Sequence, residues 1–286
     1  MPRAAYVHGY TEREAQRLLD QANSVRDLVH HDTEFPFGSV VLEVGCGVGA
    51  QTVALSSQSP GVTLVSFDSE SQSVALAAQR VREAGLRDVH LLSCDLFEPP
   101  FQAGSFDYLF VSYLLEHLHD PIGALAGLST LLRPGGEVLV VEGDHGSCYF
   151  HPSTPEAVRA WSCLIQFQAA LGGDSQIGRT LHPLLHAAGF EDVRVSPRMV
   201  YADSSRPRVQ QQFVMQTIVP MVEGVRDQAL ADGLMSPSEW EKGISDLKAT
   251  GSDPDGTFCY TFFKAWARKP SKPPVSIIGP SLSFPS

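Results

Sequence analysis

The sequence predicts an α/β protein built on a doubly wound, mostly parallel sheet of seven strands. Three observations carry this. Between Val40 and Gly143, short apolar runs alternate with segments of helical period. The first of these runs ends in a glycine-rich turn that opens a helix. Two further strand-like runs, at 191–200 and 257–269, follow blocks of helical pattern.

Residues 11–30 read as a helix, with Thr11 and Glu14 at capping-box spacing and Ala15, Leu18, Leu19, Ala22, Val25 and Val29 at helical intervals. "VVLEVG" is the first strand and "QTVALSS" the helix behind its turn. "VTLVSFD" is the second strand, followed by the helix "SQSVALAAQRVREAG", which Gly85 closes. "DVHLLSCD" and "SFDYLFVSY" are the third and fourth strands. "ALAGLSTLLRPGG" is a helix stopped by Pro134, Gly135 and Gly136, and "EVLVVEG" is the fifth strand.

Beyond Gly146 the alternation breaks. Thr154 and Pro155 start a helix over "EAVRAWSCLIQFQAAL". "HPLLHAAGF" is a short helix leading into the strand "EDVRVSPRMV". Residues 207–233 are helical, with an interruption expected at Pro220. Ser236, Pro237 and Glu239 begin another helix, and "TFCYTFFKAWARK" is an aromatic-rich strand. The segmentation is a helical lid over 1–34, an α/β core over 35–146 and a helical cap over 147–182. Residues 183–269 complete the sheet with further cap helices, and 270–286 form a disordered tail.

Bulk properties exclude some functions. With 21 Lys and Arg against 32 Asp and Glu, the formal net charge is -11, and no basic cluster stands out. Nucleic-acid binding is therefore not expected, because phosphate neutralisation supplies much of such affinity. No apolar run is long enough to span a membrane. The opening "MPRAAYVHGYTERE" lacks the apolar stretch of a secretory signal, and the five cysteines form no C-x-x-C pair, which places the chain in the cytoplasm. A homodimer remains open.

"LEVGCGVGAQ" carries the chemistry. A glycine turn between a strand and a helix lets backbone approach a ligand, and the helix start offers unpaired N–H groups. Gly45, Gly47 and Ala50 also satisfy the dinucleotide fingerprint, so an NAD(P)-dependent oxidoreductase stands as an alternative. Asp68 ends the second strand where either reading wants a ribose-binding carboxylate.

Three further features favour another reading. Glu43 precedes the first glycine by two residues, Asp95 closes the third strand, and "FDYLFVSYLLEHL" with "LLRPGGEVLVVE" completes the next two units. In this order the sequence resembles the class I S-adenosylmethionine-dependent methyltransferases, in the branch of the ubiquinone/menaquinone-type small-molecule enzymes. The resemblance spans roughly Val40 to Gly146 and implies a Rossmann-like fold with S-adenosyl-L-methionine as cofactor. It implies that Gly45 and Gly47 lie under the methionine part and that Asp68 holds the ribose hydroxyls. Asp95 and Leu96 would contact the adenine, and Ser112 and Tyr113 would sit beside the sulfonium. Glu43 would orient the turn or touch the methionine amino group, Gln51 and Ser69 would join the cofactor contacts, and Tyr10 would close over the site. His117 follows at the pocket edge. A non-catalytic cofactor-binding protein is a second alternative.

"EGDHGSCYFHP" packs Asp144, His145, Cys148 and His151 into eight residues. In such a fold it lies past the carboxyl end of strand five, on the acceptor side. Asp144 or His145 then takes a proton from the acceptor. A metal site and a Cys148 nucleophile are rival readings; the spacing matches no zinc pattern, so no metal is expected. Phe213, Met215, Ile218, Val219, Met221 and Val222, with Trp161 and Phe167, are candidates to line an apolar cavity for a small organic acceptor.

Overall fold

The computed structural model describes residues 12–271. Tyr6, His8, Tyr10 and Thr11, and with them the expected lid contact and capping box, lie outside the described residues, as does the expected tail beyond Ser271.

The elements in chain order are α1 (Glu12–His30), β1 (Val40–Val44), α2 (Ala50–Gln58), β2 (Thr63–Asp68), α3 (Ser71–Glu83), β3 (Val89–Ser93) and β4 (Phe106–Ser112). A 3-10 turn (Leu115–His117) leads to α4 (Pro121–Ser129), β5 (Leu132–His151), α5 (Pro155–Ala170), a second 3-10 turn (Ile177–Thr180), α6 (Leu181–Ala187) and β6 (Glu191–Ala202). A mostly helical insertion follows: α7 (Pro207–Val209), a π-helical segment (Gln210–Ile218), α8 (Val219–Glu223), α9 (Arg226–Ala231) and α10 (Pro237–Ser252). The final strand is β7 (Thr257–Arg268).

The sheet order is β3-β2-β1-β4-β5-β7-β6. β1 to β5 pair in parallel, and β7 enters antiparallel between β5 and β6. Alternation along each strand divides the core in two. Val41, Phe110, Leu139 and Val141 face a layer that includes α1, α2, α5, the π-helical segment and α8 to α10. Leu42, Leu109, Val111, Val138 and Val140 face α4 and α6.

Local chemistry explains the helix starts. Thr154 Oγ1 accepts from Ala157 N–H at 3.2 Å with Pro155 in the first turn, and Ser236 with Glu239 forms the expected capping box. Three boundaries differ from the sequence reading. The helix expected over 124–136 ends at Ser129, because Ser129 and Thr130 hydroxyls take the carbonyls of Ala126 and Gly127 and Leu132 already pairs with Phe106 in the sheet. Pro220 does not interrupt its helix: it sits in the first turn of α8, where a missing N–H is tolerated, and follows the π-helical segment. The largest difference is β5. It does not stop at Gly143 but runs on to His151, pairing with β7 as far as Thr257 across an irregularity between Asp144 and Tyr149. The segment 147–182, expected as helical cap, therefore begins as strand.

The carboxyl end of α1 is fixed to the sheet. Lys264 on β7 is 1% exposed, and its ammonium donates to Val29 O, Asp32 Oδ1 and Thr33 Oγ1 at 2.9, 2.6 and 2.6 Å. The Lys264 and Arg198 cations hold the Asp32 carboxyl down to about 2 against the effect of burial. Arg17, Leu18 and Gln21 on α1 are thereby brought against the π-helical segment.

Candidate functional site

The glycine turn is built from three residues in the left-handed region, Gly45 at φ 70°, Gly47 at φ 50° and Gly49 at φ 80°. Their surroundings differ. A Cβ on Gly45 would stand 3.1 Å from Leu114, and one on Gly49 would overlap Ala77 of α3, at 2.8 Å from its Cβ. A Cβ on Gly47 would meet nothing within 4 Å. The turn thus presents bare backbone to open space at Gly47, flanked by the carboxyl ends of β1 and β2.

Asp68 closes that space. Its Oδ2 accepts from Gly47 N–H at 2.8 Å and its Oδ1 from Glu70 N–H at 2.9 Å. Each oxygen keeps a further lone-pair site, so the carboxylate can still accept from two hydroxyls. Ser69 and Asp95 are exposed beside it, and Asp95 Oδ1 accepts from Phe97 N–H at 2.9 Å. Leu96 packs partly into the α4/α6-side core.

Glu43 and Gln51 point elsewhere. Glu43 is 1% exposed, and its Oε2 accepts from Thr52 and Ser66 hydroxyls, both at 2.7 Å. Burial pushes its pKa up to about 7, against the pull of those two hydroxyls. Of the two roles expected for it, this geometry fits the first: it ties α2 to β2 beneath the turn. Gln51, expected among the cofactor contacts, has its Oε1 held at 2.6 Å by His30 Nε2 from α1. Burial lowers His30 to about 4, so the ring is neutral at pH 7 and Nε2–H is the donor to the amide oxygen.

A cavity opens beyond β4 and β5. Tyr113, Glu116, His117, His145 and Tyr260 supply polar atoms, and Phe213, Ile218, Met221 and Phe262 are among its apolar walls. Tyr113 is one of two non-glycine residues in the left-handed region among the described residues, at φ 52°, held by its N–H on Val141 O at 2.9 Å and by an edge contact with Phe262. Ser112 ends β4 just before it and is half-buried. Glu142 is fully buried, and its Oε1 accepts from Leu114 and Leu115 N–H at 3.0 and 2.8 Å, so this carboxyl fixes the loop after β4. Burial, then the nearby Glu116 charge, lift its pKa well above the carboxylate range. Leu114, which that loop carries, is the residue packed on Gly45.

His145 reaches the cavity as the sequence reading required; Asp144 does not. Its neighbouring position on β5 sends the Asp144 carboxylate to Arg179, which grips both oxygens at 2.8 and 2.7 Å, while Gly146 N–H adds a third bond at 2.9 Å. Asp144 is a structural ion-pair partner and not a base facing the acceptor. His145 is 5% exposed, packed between Trp161 and Tyr260, with Nδ1 at 2.8 Å from the Tyr260 hydroxyl. Burial lowers its pKa. His117 lines the cavity mouth, 3.7 Å from Glu116 Oε1 and 3.5 Å from Gln168 Nε2. Burial pushes the Cys148 thiol well up, away from the thiolate form a nucleophile needs. Among the described residues no group of three or more His, Cys, Asp and Glu side chains is arranged to hold a metal ion.

Sequence reasoning missed Tyr260, Glu116 and Arg17. The signal for Tyr260 was the alternation in β7, where Phe258, Tyr260, Phe262 and Lys264 are the buried set. Of the apolar residues put forward, Phe213, Ile218 and Met221 line the cavity; Trp161 reaches it only through His145, donating from Nε1 to His145 O at 2.8 Å. The π-helical segment places Phe213, Thr217 and Ile218 together on the wall.

Comparison with known proteins agrees with this geometry. Residues 42–140 match the family model described as a methyltransferase domain. An uncharacterized 37.1 kDa protein in transposon TN4556 of Streptomyces fradiae is 30% identical over 184 residues, covering 62% of this chain and 51% of that protein. The demethylmenaquinone methyltransferase of Bacillus subtilis is 27% identical over 146 residues, covering 48% and 62%. The chain spans about half the length of the Streptomyces relative. Among solved structures, Haemonchus contortus phosphoethanolamine N-methyltransferase 2, bound to phosphomonomethylethanolamine and S-adenosylhomocysteine, superposes with a TM-score of 0.57 at 18% identity. That match covers 94% of this chain and 61% of the other. The [4+2]-cyclase SpnF superposes at 0.54 with 21% identity over 94% and 88% of the two chains. At such identities these two establish the fold alone. Residues 42–140 thus carry a methyltransferase domain.

Proposed function

We propose that this protein transfers a methyl group from S-adenosyl-L-methionine to a small, partly apolar organic acceptor. One observation carries the reading: the loop after β4 packs Leu114 on the glycine turn on one side and presents Tyr113 to the cavity on the other. A cofactor crevice and an acceptor cavity therefore share a wall.

The residues present fit the cofactor. The open space over Gly47 accepts a ligand that a side chain there would displace. Gly45 and Gly47 would lie under its methionine part, Asp68 would hold the ribose with its remaining lone pairs, and Asp95, Leu96 and Ser69 would flank the adenosine. Ser112 and Tyr113 would adjoin the sulfonium. When bound, the cofactor supplies an activated methyl group. The chain itself orients the acceptor and keeps water out, contributions that reach about 7–11 kcal/mol in favourable cases. The apolar wall of Phe213, Ile218, Met221 and Phe262 serves the second task.

The oxidoreductase alternative loses its support in the sheet. Dinucleotide-binding folds of the 3-2-1-4-5-6 order continue in parallel, whereas here an antiparallel strand is inserted beside β5. Calorimetric titration with S-adenosylhomocysteine and with NADH tests the proposal, and tight binding of NADH alone would end it. Turnover of a labelled methyl donor across a panel of small acceptors then separates an enzyme from a protein that only binds the cofactor.

A further inference from the structure

We infer that Tyr260 fixes His145 in the tautomer carrying its proton on Nε2, so that His145 and Tyr113 offer hydrogen-bond donors to the cavity and the acceptor it suits bears sp2 oxygens, as in a carbonyl, enolate or carboxylate. The tautomer stands on geometry alone; the word acceptor rests on the methyltransferase reading.

The argument begins with one proton. Tyr260 is 2% exposed, and its hydroxyl finds one partner among the described residues, His145 Nδ1 at 2.8 Å. The hydroxyl lies directly over Gly143, where an added Cβ would overlap it. Two arrangements satisfy the contact. If Nδ1–H donated to the phenol oxygen, the Tyr260 proton would find no protein acceptor among the described residues. If the phenol donates to Nδ1, that proton is placed and the imidazole proton moves to Nε2. Nε2 has no protein partner among the described residues, and His145 forms part of the cavity wall. The second arrangement leaves its free donor on a residue of the cavity wall.

Tyr113 repeats the pattern. Its hydroxyl is buried with no hydrogen-bond partner among the described residues, and the residue lines the same cavity. Its backbone is held at φ 52°, a costly conformation for a tyrosine that is typical of functional sites. Burial keeps the phenol protonated, and hence a donor. The carboxylate on the wall, Glu116, has Oε2 engaged by Gln168 Nε2 at 3.1 Å and Oε1 facing His117 Nε2 at 3.7 Å, and Arg17 adds a cation to the wall. In this account His145 donates to the acceptor and takes no proton from it, which replaces the role its residue type suggested. Tyr260 is a positioning residue, acting through His145.

The test uses the 15N-labelled full chain and long-range proton–nitrogen correlations of the histidine rings, with His145 assigned by the signal lost in His145→Gln. At pH 7 the expected result is an unprotonated, hydrogen-bonded Nδ1 and a protonated Nε2. Tyr260→Phe should abolish the hydrogen-bond shift at Nδ1 and release the tautomer, a change that a packing role would not produce. Benzoate should move the Nε2–H resonance and bind at least about fivefold more weakly to Tyr113→Phe, a loss in the range of one hydrogen bond, and benzylamine should do neither. A protonated Nδ1 in the wild-type protein overturns the inference, and so does a site that prefers benzylamine to benzoate. S-adenosylhomocysteine calorimetry on the same sample keeps the two readings apart. Failure to bind it, with the expected tautomer, removes the methyltransferase reading and upholds the donor pair; binding with Nδ1 protonated does the reverse.

Discussion

Asp68→Ala is the perturbation that bears most directly on the proposed cofactor crevice. The carboxylate accepts from Gly47 N–H at 2.8 Å and from Glu70 N–H at 2.9 Å, so its loss frees both the glycine turn and the start of α3. Hydrogen bonds to a charged group contribute about 1.5–3 kcal/mol each. Asp68 is only half-buried, so water replaces part of each bond and the low end applies. Two bonds at about 1.5 kcal/mol set a ceiling near 3 kcal/mol for lost stability. A ligand whose hydroxyls also used this carboxylate would lose a further ~1–3 kcal/mol, which is a roughly 5- to 150-fold rise in Kd. Denaturant titration measures the first quantity and calorimetry with S-adenosylhomocysteine the second. A folded Asp68→Ala protein that binds this ligand with wild-type affinity would refute the placement of Asp68 in the site.

The glycine turn separates strain from collision. Gly47→Ala and Gly49→Ala both force alanine into the left-handed region, at about 1–2 kcal/mol each, but only the latter drives a Cβ onto Ala77. Thermal melts should rank Gly49→Ala well below Gly47→Ala, while Gly47→Ala loses more affinity for S-adenosylhomocysteine than stability. Glu43 and His30 predict opposing pH slopes. Glu43 is raised from 4.5 to about 7, so the folded chain binds the extra proton and stability from this group is lost as pH rises from about 4.5 to 7, by about 3 kcal/mol. His30 is lowered from 6.5 to about 4, so its contribution is lost as pH falls across that window. Denaturation at pH 5 and pH 7.5 should show Glu43→Gln gaining on the wild type at the higher pH and His30→Gln gaining at the lower one. Arg179→Met strands the buried Asp144 carboxylate and should destabilise by about 1–3 kcal/mol, discounted because the Arg179 side chain is 46% exposed. Adding Asp144→Asn should recover part of that loss in the same denaturation assay.

The sequence made the parallel half of the sheet readable because its strands are buried on both faces and its turns are glycine-marked. Val41 and Leu42 serve opposite faces of the core, and that double demand is what produces an unbroken apolar run. β5 beyond Gly143 was unreadable for the opposite reason. "DHGSCYFH" is polar and aromatic, and it becomes strand only because β7 arrives from over a hundred residues away to pair with it. The irregularity there is stabilised by tertiary contacts, with Ser147 Oγ donating to Asp144 O at 2.8 Å and accepting from Thr261 N–H at 3.2 Å. The same limit applied to side-chain direction. His145 and Asp144 are adjacent, and nothing local says that one meets Tyr260 while the other meets Arg179. Asp68 was legible from position alone, since a carboxylate at the end of β2 has few places to go. The π-helical register was invisible, as its extra residue per turn leaves no mark in apolar spacing.

The Lys264 anchor has a consequence for assembly. Its ammonium joins β7 to the end of α1, and Lys264 follows Asp32 by 232 residues. During synthesis α1 leaves the ribosome first, yet the cation that secures it is among the last of the described residues to emerge. His30 on the helix can meet Gln51 of α2 early, but the bonds to the Lys264 ammonium, and the cavity wall that Tyr260 and Phe262 complete, need β7. A ribosome-stalled chain lacking β7 would have the glycine turn without Tyr260 and Phe262 of the chamber beside it.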